Sequence, residues 1–99
     1  MFGADAPAST ELDMAITRTD FARQLAAAFG PVQTPRADTY VGRMPCCAWR
    51  IALRPATPTR LGRLELERWT VSIELTESTP DGRAQWWRRF GAYFQKGGG

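Results

Sequence analysis

Histidine is absent from this 99-residue chain. Its absence removes Ser–His and Cys–His nucleophile pairs, imidazole acid–base chemistry and every metal site built on imidazole. Cysteine is scarce: Cys46 and Cys47 are the only two, and they are neighbours. A bond between adjacent cysteines is strained, and nothing else in the chain can pair with them, so a disulfide framework is excluded. A zinc site would need four ligands at characteristic spacing, which the sequence lacks. The natural reading is a reducing, cytoplasmic setting. No apolar run approaches the roughly 20 residues of a membrane span. The opening residues, Met1 to Pro7, carry neither the basic nor the apolar segment of a signal peptide. These absences point to a soluble, non-catalytic protein without a metal, cofactor or membrane partner.

Lysine is rarer still, with Lys96 alone among thirteen Lys and Arg residues. A GC-rich, bacterial-like genome explains that bias more simply than a need for bidentate donors. The net charge of +3 hides strong blocks. Residues 1–38 carry five acids against three bases, whereas residues 39–63 hold Arg43, Arg50, Arg54, Arg60 and Arg63 with no acid. Residues 64–81 reverse to five acids against Arg68, and the remainder is purely basic. Such a surface is dipolar rather than uniformly basic, so a pI near 9.4 argues only weakly for nucleic acid.

A chain of this length supports one domain, and 43% hydrophobic residues with four tryptophans are enough for one core. Residues 1–13 are small, polar and aperiodic, the pattern of a flexible leader. Residues 14–96 read as the folded domain and Gly97-Gly98-Gly99 as a flexible tail; Met14 is an alternative start. A first helix is expected over 18–29. Thr17 caps it, Asp20 stands three residues on, Ile16 and Phe21 form a staple, and Gly30-Pro31 stops it. Thr39 to Arg43 is a candidate short strand, weakened by Gly42 and Pro45.

Cys47, Trp49, Ile51 and Leu53 share one face of a strand by alternation. From Leu64 the inward set starts on even positions (Leu64, Leu66) and ends on odd ones (Trp69, Val71, Ile73, Leu75). A strand cannot change parity without an extra residue, so the pattern predicts a β-bulge near Glu67–Arg68. With that bulge, Leu53 faces Leu64, Ile51 faces Leu66, Trp49 faces Trp69 and Cys47 faces Val71. On the other side Arg50 faces Glu67 and Ala52 faces Glu65. Thr79, Pro80 and Asp81 open a last helix that ends near Gln95. Trp86, Trp87, Phe90, Tyr93 and Phe94 form its aromatic stripe. The fold class that results is α+β, of order α-β-β-β-α, with both helices packed on one face of an antiparallel sheet.

That order resembles the topology of double-stranded-RNA-binding domains. Those domains present lysines at the start of the last helix, where this chain has Pro80-Asp81-Gly82-Arg83, an acid where cations are needed. The resemblance therefore argues against RNA binding.

Three function classes follow. The first is a protein-interaction module, such as an adaptor, inhibitor or assembly subunit, whose partner is another protein or a second copy. Its candidate binding residues are Trp86, Arg88, Arg89 and Tyr93 beside a charged sheet surface. Trp and Arg are enriched in interface hot spots. Adjacent helical residues diverge by about 100°, so one of Trp86 and Trp87 is expected at the core margin. The second class binds nucleic acid through a basic patch of Arg43, Arg50, Arg54, Arg60 and Arg63, joined by residues 83–89. The third is a small-ligand carrier or enzyme with a pocket lined by Trp49, Trp69 and the last helix. Glu65 and Glu67 read as a solvated strand face rather than a catalytic pair. Cys47 reads as a core residue and Cys46 as an outer one, with the two side chains diverging on a strand.

Overall fold

The computed structural model describes residues 7–98, with side chains through Phe94. Its elements are β1 (Ser9–Ala15), α1 (Arg18–Phe29), β2 (Gln33–Arg36), β3 (Thr39–Met44), β4 (Cys47–Pro55), β5 (Thr59–Leu61), β6 (Leu64–Leu66), β7 (Arg68–Thr76) and α2 (Pro80–Gly98). Five strands form one antiparallel sheet in the order β1-β7-β4-β3-β2, and β5-β6 is a separate two-stranded hairpin. The class is α+β with both helices on one sheet face, but the chain order is longer than α-β-β-β-α.

The first difference lies in residues 9–15, expected as leader and found as edge strand β1. Thr10, Leu12 and Met14 stand opposite Ile73, Val71 and Trp69 of β7. Leu12 and Met14 pack on the core, while Glu11 and Asp13 face the open side. The segment is poor in strand formers, so its conformation comes from pairing with β7 rather than from propensity. Residues 1–6 of the expected leader, and Gly99 of the tail, lie outside the described residues. At the opposite edge, β2 contains Pro35, an edge-strand residue, and its register slips between Gln33 and Arg36.

The second difference is register. Cys47, Trp49, Ile51, Leu53, Trp69, Val71, Ile73 and Leu75 all face the core and are buried, so the parity reading holds for these eight but not for Leu64 and Leu66, which are exposed. Their partners are different, however: Leu53 faces Val71, Ile51 faces Ile73, Trp49 faces Leu75 and Pro55 faces Trp69. The parity switch falls at Glu67, but Glu67 belongs to no strand and separates β6 from β7. Residues 64–66 fold back on 59–61 instead of pairing with β4. Gly62, with φ of 62°, makes that reversal possible as the first of two turn residues, where a type II′ turn places glycine.

Both helices start as their caps dictate. The Thr17 hydroxyl accepts from the Asp20 N–H at 3.0 Å, and the Thr79 hydroxyl accepts from the Gly82 N–H at 3.0 Å. Helix α2 continues to Gly98 rather than stopping near Gln95. Between helices and sheet runs an aromatic stack: Phe29 on Trp86 at 5.1 Å, Trp86 on Phe90 at 5.1 Å, and Phe90 on Phe94 at 4.4 Å between centroids. Offset stacking of this kind adds about 0.5–1.5 kcal/mol per pair beyond area burial.

Gly42 makes room for the stack. A methyl group there would lie 2.3 Å from Cζ2 of Trp49, so the indole fills the space a side chain would take. Gly42→Ala is expected to destabilise the fold by about 1–3 kcal/mol through overpacking. Urea unfolding measures this, and an unchanged midpoint would show that the indole moves aside freely.

Candidate functional site

Trp86 and Trp87 are both fully buried, which overturns the expectation that one lies at the margin of a docking patch. Trp86 packs between Phe29 and Trp49. Trp87 diverges from it as expected, but its indole N–H donates to the Pro7 carbonyl at 2.8 Å. The chain preceding β1 therefore covers the side chain that a two-helix arrangement would have left exposed. Arg89 donates from Nε to the Ala28 carbonyl, closing the last turn of α1, and its guanidinium lies over Tyr93 at 5.6 Å. Of the four candidate residues on α2, Arg88, Arg89 and Tyr93 are exposed, beside Met44, Gln85 and Ala92.

The basic patch is divided. Arg43, Arg50 and Arg54 point from the open face of the sheet, whereas Arg60 and Arg63 ride on the β5-β6 hairpin. Arg43 pairs with Glu77 at 2.9 Å, Arg54 with Glu11 at 2.8 Å and Arg60 with Glu65 at 3.3 Å. The Arg43 guanidinium holds the Glu77 carboxyl below its ordinary value. Among the described residues, only Arg50 and Arg63 of the five have no acid within ion-pair distance. Acids brought in from β1 and from the turn after β7 thus offset a run that contains none of its own.

Trp49 and Trp69 are both buried in the core, and the recess of about 580 Å³ that Trp49 borders is lined by neither Trp69 nor the last helix. The two candidate carboxylates go separate ways. Glu65 meets Arg60, while Glu67 Oε2 accepts from the Arg18 N–H at 2.9 Å and from the Trp69 indole N–H at 2.6 Å. Glu67 therefore does not face Arg50; it sits at the positive end of α1 and ties that helix to β7. Cys46 and Cys47 do not diverge, because Cys46 lies in the β3–β4 turn and not on a strand. Their sulfurs are 3.3 Å apart. Among the described residues, no three His, Cys, Asp or Glu side chains gather as a metal site.

The most distinctive surface is one the alternation pattern had placed inside. Leu61, Leu64 and Leu66 are 57%, 64% and 40% exposed. Leu61 and Leu64 face each other across the hairpin, and Leu66 follows on the same face. Leu66 also borders a groove of about 480 Å³ with Met14, Ile16 and Phe94 on its floor and Asp13, Asp20 and Glu67 around it. The hairpin is a sheet of its own, and Leu66 joins its apolar face to the groove. Arg68 holds the arm in place, bonding Asp13 at 2.9 Å and the Thr59 hydroxyl at 3.1 Å. The sequence signal for the arm was the turn glycine at Gly62, which a continuous strand over 64–75 does not use.

Two outcomes follow. Trp86→Ala is expected to cost about 3–5 kcal/mol in chemical denaturation, the range for a buried aromatic; a loss below about 1 kcal/mol would return Trp86 to the surface. Burial, with the adjoining Cys46 thiol, pushes the Cys47 thiol up to about 12 from 9.0. A raised folded value favours the neutral thiol, so this stabilisation is full below pH 9 and is lost as pH rises toward 12. At pH 8.5 iodoacetamide should label native Cys46 while Cys47 reacts only on unfolding. Equal labelling rates would contradict the burial.

Compared with known proteins, the chain matches no family model, and no curated protein or solved structure shows significant similarity to it.

Proposed function

We propose that this protein is a non-catalytic interaction module, an adaptor, inhibitor or assembly subunit, that docks through the β5-β6 arm and the groove at its base. The observation that carries this reading is the set of three exposed leucines on one hairpin face. A two-stranded hairpin is marginal in water by itself, and its apolar face normally needs a cover. Here the same chain buries four tryptophans within one core and yet leaves three leucines together in solvent. Clustered apolar exposure of this kind marks contact surfaces in monomeric proteins. The α2 surface contributes Arg88, Arg89 and Tyr93 at most, because its tryptophans are structural. The partner is another protein or a second copy of this chain.

A photo-crosslinking amino acid at position 64, introduced in cells of origin, should give a discrete adduct, whereas one at exposed Ala27 of α1 should not. The double variant L61S/L64S should abolish association yet melt within about 8 °C of the parent, since two exposed substitutions at about 0.5 kcal/mol each cost about 1 kcal/mol together. Absence of any position-64 adduct, or unfolding of the double variant, would overturn the proposal.

A further inference from the structure

We infer that the occupant of the groove is the β5-β6 arm of a second copy, so that two chains exchange arms about a twofold axis. The inference rests on the docking reading above and adds its partner. Arm and groove lie side by side: Leu66 is at once the last residue of the hairpin and a wall of the groove. A surface with a projection next to a recess of matching chemistry is self-complementary under a twofold rotation, in which each copy gives and receives the same contact.

The chemistry matches on both counts. The arm presents Leu61 and Leu64 beside the tip residue Arg63, while Arg60 points from the opposite face and pairs with Glu65. The groove offers Met14, Ile16 and Phe94 with Asp20 beside them, while the Asp13 carboxylate turns to the open face to hold Arg68 and Glu67 is held by the Arg18 N–H and the Trp69 indole. Arg63 has no acidic partner among the described residues of its own chain. Asp20 forms its ion pair with the exposed Arg23, at 2.7 Å, a pairing that costs little to exchange. Arg63 therefore meets Asp20 where leucines meet an apolar floor. A stable interface buries at least about 1,200 Å² in total. Because the axis uses the contact twice, each arm-in-groove contact needs only about half of that.

Other occupants fit less well. Pairing β1 with β1 of a second copy about Leu12 would set Glu11 against Asp13, like charges directly opposite, which disfavours an extended sheet.

Sedimentation velocity on the purified full chain tests the inference. A dimer is expected at micromolar concentration, and Leu64→Ser should raise its dissociation constant at least tenfold while circular dichroism stays unchanged. Arg63→Glu and Asp20→Arg should each weaken the dimer similarly, because each sets like charges across both contacts. An equimolar mixture of R63E and D20R should restore dimerisation, since both contacts of the mixed pair are complementary again. A wild-type monomer at millimolar concentration, a dimer indifferent to L64S, or a mixture that stays monomeric would overturn arm exchange. A monomer whose position-64 probe still captures a different protein would remove the second copy as partner and leave the docking reading intact. A monomer without any adduct would remove both.

Discussion

The insertion of β7 between β1 and β4 is the contact on which the rest of this structure depends. β7 is the last strand in the chain, yet it pairs with the first strand on one side and with the middle of the chain on the other. Its inward residues Trp69, Val71, Ile73 and Leu75 are all buried, so both its edges and one face are satisfied at once. Through Leu12 and Met14 it fixes a segment that has little strand propensity of its own. Most of these contacts are far apart in sequence, which makes the assembly cooperative rather than a sum of local pieces.

Placing β7 there has two effects on the surface. It leaves residues 56–66 without a place in the main sheet, and Gly62 turns them back into an arm whose leucines meet solvent. It also brings Glu67 to the start of α1, where one carboxylate oxygen accepts from a helix N–H and from the Trp69 indole. The arm is held at its base by Arg68, through Asp13 and Thr59, so it projects from a braced root. Bracing lowers the conformational entropy an arm would lose on docking.

The same sheet order explains why the tryptophan-rich helix is a structural element. Trp86 and Trp87 point about 100° apart, and a floor of three strands would cover only one of them. The five-stranded sheet meets Trp86 through Trp49, and the chain leading into β1 closes over Trp87. Arg89, which reads as a contact residue beside them, instead satisfies a carbonyl at the end of α1. Aromatic and arginine side chains that suggest recognition in sequence here hold two helices together.

By itself the sequence determined what depends on neighbours. Helix α1 follows from Thr17, its apolar stripe and Gly30, because capping and 3.6-residue periodicity act within a few turns. The inward residues of β4 and β7 follow from alternation, and the break at Glu67 follows from its change of parity. Only the tertiary structure decided which strands meet. Pairing Leu53 with Leu64 closes a short loop at low entropic cost. Pairing Leu53 with Val71 instead sets Ile51 against Ile73 and Trp49 against Leu75, along the full length of both strands. Longer apolar pairing outweighs a closure cost that grows only logarithmically. That balance is a property of the whole chain, and it also decides that Leu61, Leu64 and Leu66 face water while Trp86 and Trp87 do not.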